Sequence, residues 1–126
     1  KMTASTLVVF GLVLALVALE GSANDVAIIS DCDASGSPFS CMHRSALAPL
    51  ASKYPGSNFD DVTLLPDAFG GPTPTSDWLA ANATKYHIVI SIGFQYNDAM
   101  TAAAGNADHS ATWFASVDED ACAGSG

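Results

Sequence analysis

The sequence predicts an α/β fold, a doubly wound parallel sheet of four strands in the order 2-1-3-4 with helices between them. Strand-like apolar runs alternate with stretches of helical periodicity, so the elements follow one another as strand, helix, strand, helix, strand, helix, strand. The connections are short, which favours right-handed crossovers and parallel strands. The first run is apolar at almost every position, as is typical of a strand covered on both faces.

The first half of this pattern begins with residues 26–30, whose sequence "VAIIS" predicts a buried strand. Residues 31–41 contain glycine, proline, two aspartates and three serines, and they predict a loop. A helix is expected over residues 42–53, where Pro49 should weaken or shorten it. Residues 61–65, "DVTLL", predict the second strand, which Pro66 should end.

In the second half, Ser76 is expected to cap a helix that runs from Asp77 to about Lys85. Residues 87–92, "HIVISI", form the most strand-like stretch of the chain and predict the third strand. Residues 97–104 are rich in alanine and predict a third helix, which should end before Gly105. Residues 111–117, "ATWFASV", predict the fourth strand.

The amino terminus predicts export. Residues 7–19 are apolar except for Gly11, and this length is short of the roughly 20 residues that cross a bilayer as a helix. Lys1 precedes the run and the small residues "GSA" at 21–23 follow it, as in a signal peptide cleaved after Ala23. Residues 1–23 are therefore expected to be a signal peptide, and the protein is expected to be secreted, periplasmic or on the cell surface. No cysteine stands directly after the run, so a bacterial lipid anchor is not expected.

Charge and cysteine content narrow the function classes further. The formal net charge is −9, and such an acidic chain cannot replace the counterions around nucleic acid phosphates, so no nucleic acid partner is expected. Cys32 and Cys41 bracket a loop that can fold back into a disulfide, although two unrelated thiols are the alternative.

The three histidines lack metal-ligand spacing and are expected to be surface or loop residues. Residues 82–84, "NAT", form an N-glycosylation sequon that matters only in a eukaryotic host.

A binding site is expected where the winding direction of the sheet reverses, beyond the carboxyl ends of strands one and three. Asp31 and Asp33 follow the first of these strands, and Gly93, Phe94, Tyr96 and Asp98 follow the third. Carboxylates accept hydrogen bonds from sugar hydroxyls and an aromatic ring stacks on a flat solute, whereas phosphate is disfavoured. The alternative is that the aspartates form turns or favour a helix dipole and that Phe94 packs under the next helix.

The clearest motif is "YHIVISIGFQYNDAM" at residues 86–100, and it is accompanied by "WFASVD" at 113–118 and "VAIISD" at 26–31. In the order and spacing of these segments, over about residues 26–118, the chain resembles the basic membrane protein family of ABC-transporter solute-binding proteins, which includes purine nucleoside receptors. The resemblance implies a type I periplasmic-binding fold, with residues 24–126 as an incomplete N-terminal lobe.

The resemblance also implies capture of a small polar solute of the purine nucleoside class, with no catalysis and no cofactor. The implied partners are this ligand and either an ABC-transporter permease or a membrane segment of the protein's own. Phe39 is matched to the family's stacking ring; the alternative register has Met42 there and His43 after it. A single incomplete lobe is expected to bind nucleosides weakly or not at all. The implied ligand-binding residues are Asp31, Asp33, Phe39, Gly93, Phe94 and Asp98.

Two other classes of protein have the same doubly wound arrangement of strands and helices. One is the ligand-binding ectodomain of a membrane receptor, which would be followed by a membrane segment of about 20 apolar residues. The other is a flavodoxin-like or receiver-like module. A receiver needs an acid at the end of its third strand, where this chain has Ile92 and Gly93, and the neighbouring aspartates disfavour the phosphate of a flavin.

Overall fold

The computed structural model of the protein describes residues 24–32, 41–67 and 74–117. Within these ranges, strands β1 to β4 are Asp25–Ser30, Asn58–Thr63, Ile88–Ile92 and Trp113–Val117. Helices α1 to α3 are Arg44–Lys53, Thr75–Asn82 and Asn97–Ala104. Short 3₁₀ turns lie at Ala83–Lys85, Phe94–Tyr96 and Ala107–His109. The predicted α/β class and order of elements are confirmed; the predicted signal peptide, residues 1–23, lies outside the described ranges.

The four strands form one parallel sheet in the order β2-β1-β3-β4, as the sequence predicts. Ser30 at the end of β1 lies opposite Thr63 of β2, and Ile29 lies opposite Ser91 of β3. The carboxyl ends of these three strands therefore meet at the same edge of the sheet. None of the described helices is long and apolar enough to span a membrane.

The helices cover the two faces of the sheet unequally, as in a doubly wound fold. Helix α1 packs Ala46 and Leu50 on one face, against β1 and β3 residues that include Ile28 and Ile90. Helices α2 and α3 pack Leu79 and Met100 on the other face. Because β1 and β3 are covered on both sides, every residue of β3 is buried, which explains why its sequence is almost wholly apolar.

Several element boundaries differ from the sequence prediction, and the largest differences in the strands are in β2 and β4. Strand β2 begins three residues earlier than predicted and ends at Thr63, because its register is set by pairing with β1 rather than by its own apolar residues. As an edge strand in the described part of the chain, it tolerates the charged residues Asp60 and Asp61. Strand β4 begins at Trp113, since residues 107–109 form a 3₁₀ turn before it.

The predicted cap of α2 is wrong. The helix begins at Thr75 after Pro74, and Ser76 makes no side-chain cap. Instead, the Asp67 carboxylate accepts the backbone N–H of Ser76 at 3.2 Å, and the Thr75 hydroxyl donates to the Leu65 carbonyl at 3.1 Å. The cap comes from nine residues upstream, beyond the reach of a local sequence pattern. Helix α1 also accommodates Pro49 and continues to Lys53.

Candidate functional site

The candidate site lies at the carboxyl ends of β1 and β3, which are neighbours in the sheet. The chain leaves β1 toward α1 on one face and leaves β3 toward α3 on the other. In doubly wound sheets, ligands bind beyond the carboxyl ends of the strands at such a reversal of winding. Asp31 follows β1 directly and Gly93 follows β3, so the two exits predicted from sequence lie at one place.

Asp31 is a buried carboxylate with one oxygen that is unpaired among the described residues. The residue is 6% exposed, and its Oδ1 has no partner among the described residues. Its Oδ2 accepts from the Gln95 Nε2 at 3.5 Å, which is at the long limit of a hydrogen bond. A buried carboxylate that is only partly satisfied costs stability unless a donor pairs with it. The position is therefore suited to a ligand that supplies an O–H or N–H group.

Residues 93–96 form a tight turn that separates an exposed ring from a buried one. Gly93 has a φ of 114°, in the left-handed region that favours glycine, and its N–H donates to the Val117 carbonyl at 2.8 Å. The ring of Phe94 is then directed outward and is 56% exposed, whereas Tyr96 is fully buried. Phe94 therefore offers an exposed aromatic surface beside the β3 exit. The alternative that Phe94 packs under α3 is wrong.

Tyr96 belongs to the core below the site. Its hydroxyl donates to the Leu64 carbonyl at 2.6 Å, which joins the β3 exit to the β2 exit. Burial, and to a smaller extent the charge of Asp31, raises the pKa of the Tyr96 hydroxyl well above its usual range. Tyr96 is accordingly a structural support and offers no ring for stacking, although the sequence places it among the aromatic residues of this exit.

Within the described ranges, the structure shows no contact of the other predicted site residues with Asp31. Asp98 is exposed in the first turn of α3, where its charge favours the helix dipole. Asp33 and Phe39 lie outside the described residues. The structure thus brings Asp31 to the same exit as residues 93–96, with Gln95 as the residue in contact. Sequence reasoning missed Gln95, because a glutamine two residues after a glycine carries no recognisable signal.

A disulfide joins Cys32, the residue directly after Asp31, to Cys41, just before α1. The pairing favoured in the sequence is thereby present, and the alternative of two unrelated thiols is wrong. The cross-link ties the β1 exit to the segment that leads into α1. It therefore limits how far Asp31 and the start of that helix can separate.

A polar cluster that the sequence did not predict fixes the start of α1 to β2. The His43 Nε2 lies 2.7 Å from the Asp61 Oδ1, and the Arg44 Nε donates to the Asp61 Oδ2 at 2.6 Å. His43 and His109 lie in turns, as expected of loop histidines, but they are not surface residues, because each is only 5% exposed. The partners lie 18 residues apart in the chain, so only the tertiary fold connects them.

The site offers hydrogen-bond acceptors and a stacking surface. Among the described residues there is no group of three histidine, cysteine or acidic side chains that could hold a metal ion. A shallow groove of about 130 Å³ between α3 and β4 contains none of the predicted site residues; it is lined by Met100, Thr101, Ala104, Phe114, Ala115 and Ser116. The exits of β1 and β3 therefore stay the better candidate.

Comparison with known proteins gives no relative. No family model matches the sequence, and neither a curated protein nor a solved structure matches it.

Proposed function

We propose that this protein captures a small polar solute outside the cytoplasm, and that the solute is a purine nucleoside. The observation that carries the proposal is Asp31, a buried carboxylate at the reversal point of the sheet whose Oδ1 has no partner among the described residues. Such an oxygen accepts a hydroxyl or amine proton from a ligand. A ligand that supplies this proton would remove the cost of leaving the oxygen unpaired.

Phe94 supports a ligand with a flat ring. Its side chain is exposed and follows Gly93 at the same exit as Gln95, the residue that contacts Asp31. A nucleoside combines a flat base, which stacks on an aromatic ring, with ribose hydroxyls, which donate to a carboxylate. In a transport role, the protein would deliver the captured solute to an ABC-transporter permease. In a receptor role, its partner would be a membrane segment of the protein's own.

The charge of the site favours a nucleoside over a nucleotide. Asp31 and Asp98 lie near the β3 exit, and the net charge of the chain is −9, so a phosphate would be repelled. One stacked ring contributes about 0.5–1.5 kcal/mol and one charged hydrogen bond about 1.5–3 kcal/mol. Together they correspond to millimolar dissociation constants at best, since 1 mM is equivalent to about 4 kcal/mol.

The test is a nitrogen-15 NMR titration of the protein with inosine, with inosine 5′-monophosphate and inorganic phosphate as the charged comparisons. We expect inosine to shift the amide signals of residues 31 and 93–96 with a millimolar dissociation constant, and the monophosphate to shift them less. Asp31→Asn and Phe94→Ala should each remove the shifts. Trp113→Ala is the matched control, because Trp113 is an equally exposed ring, 60% exposed, at the start of β4.

Three results would contradict the proposal. One is the absence of shifts at residues 31 and 93–96 at about 50 mM inosine, which exceeds the weakest dissociation constant that these two contributions allow, roughly 30 mM. Another is a set of shifts confined to the groove between α3 and β4. The third is equal loss of binding in Phe94→Ala and Trp113→Ala. A micromolar constant in a calorimetric titration would contradict the estimate that one ring and one carboxylate carry the affinity.

A further inference from the structure

We propose that Asn82 is an acceptor of an N-linked glycan. This inference rests on the proposed export of the chain, through the endoplasmic reticulum of a eukaryotic host, and it does not depend on nucleoside capture. Asn82 ends α2, and the sequon that it begins continues into the 3₁₀ turn Ala83–Lys85. Thr84 is exposed and Asn82 is half-buried, so the sequon lies at the surface of the folded protein.

The position of the sequon is compatible with a bulky modification. Asn82 lies before β3, whereas the candidate ligand site lies after it. A strand of five residues spans roughly 16 Å at about 3.3 Å per residue, so the glycan would extend from the opposite edge of the sheet. A glycan at Asn82 would therefore leave the exits of β1 and β3 open.

The side chain of Asn82 can keep both of its contacts after modification. Its Nδ2 donates to the Trp78 carbonyl at 3.0 Å, and its Oδ1 accepts from the Lys85 Nζ at 2.7 Å. In the transfer, Nδ2 bonds to C1 of a sugar carried on a lipid pyrophosphate. The C1–O bond breaks, the pyrophosphate leaves with the electron pair, and Nδ2 loses one proton. The carbonyl oxygen and one amide N–H stay available for Lys85 and Trp78.

Two aromatic rings beside Asn82 provide a surface for the first sugar. Trp78 lies one helical turn before Asn82, and its ring stacks on that of Tyr86 with centroids 5.9 Å apart and an interplanar angle of 28°. Both rings are half-buried, so part of this apolar surface faces solvent. The apolar face of an N-acetylglucosamine ring would cover it. We expect the modification to occur before folding, because an isolated eight-residue helix is unstable in water and leaves the sequon extended.

The test is translation of the full chain in a eukaryotic cell-free system with microsomes derived from the endoplasmic reticulum. We expect a gel shift equal to one glycan, which peptide N-glycosidase reverses. Asn82→Gln and Thr84→Ala should each abolish the shift, whereas Thr84→Ser should retain it.

An added sequon separates the acceptor from the export on which it depends. Asn106 and Asp108 are exposed, and Asp108→Thr in the Asn82→Gln background creates a sequon at Asn106. Modification of that variant without modification of the parent would overturn the assignment of Asn82. Absence of modification in both would overturn the export and this inference with it, while the inosine titration would still test ligand capture independently.

A fluorescence measurement tests the sugar contact with the aromatic rings. In a Trp113→Phe background, Trp78 is the remaining tryptophan. Enzymatic removal of the glycan should increase quenching of its fluorescence by acrylamide. Unchanged quenching would show that the glycan does not cover the rings.

Discussion

The Cys32–Cys41 disulfide should contribute a large share of the stability of this small domain. The two cysteines are nine residues apart, and cross-linking a loop of that length removes about 2.6 kcal/mol of chain entropy from the unfolded state at 25 °C. Stabilities of whole domains are only about 5–15 kcal/mol. We therefore expect the double variant Cys32→Ser, Cys41→Ser to lose roughly 2–3 kcal/mol of unfolding free energy.

Urea denaturation followed by circular dichroism measures this loss. With an m value of about 1–1.5 kcal/mol/M, the unfolding midpoint should fall by roughly 2 M. Every protein in the comparison would carry Cys122→Ser, which prevents disulfide exchange with the third cysteine. Dithiothreitol should lower the midpoint of the parent to that of the double variant and leave the double variant unchanged. A double variant within about 0.5 M of the oxidised parent would refute the loop-closure reasoning.

Three further substitutions give separate expectations. Tyr96→Phe removes the donor to the Leu64 carbonyl and should cost about 1–3 kcal/mol of unfolding free energy in the same urea assay. An unchanged unfolding midpoint would contradict the structural role assigned to the Tyr96 hydroxyl. Burial and the hydrogen bond to Asp60 raise the pKa of Tyr86 from 10.0 to about 12. The stabilisation by protonated Tyr86 is therefore complete below pH 10 and lost as the pH rises to 12, and this loss should be smaller in Tyr86→Phe. Asp31→Asn should not lower the midpoint, because it removes a buried charge that is only partly paired; a large loss of stability would instead make Asp31 a structural residue.

The sheet was predictable because its central strands are buried on both faces. The segments that form β1 and β3 consist almost wholly of apolar residues, and the helices between successive strands favour a parallel sheet. Strand β2 was harder to place, since its residues alternate between half-buried and exposed and its register depends on β1. The cap that Asp67 supplies to α2 depends on a contact between residues far apart in sequence.

The candidate site was only partly predictable for the same reason. A position after a strand is defined by the topology, so Asp31 and Gly93 could be placed at one edge of the sheet from sequence. The direction of each side chain depends on the turn after Gly93. That turn exposes Phe94, brings Gln95 to Asp31 and buries Tyr96, and the sequence pattern contains no equivalent information. The contact of His43 and Arg44 with Asp61 likewise exists only once α1 packs on the sheet.

The architecture constrains the two end positions of the turn at residues 93–96 more than the two positions between them. Gly93 is constrained by its backbone angle and Tyr96 by its place in the core, while Phe94 is exposed and Gln95 contacts Asp31. Single substitutions at the two middle positions are therefore expected to leave the scaffold intact, which makes them the positions at which to test the proposed ligand contact. A mutagenesis library for altered ligand preference would be small, with both of its randomised codons adjacent in the gene.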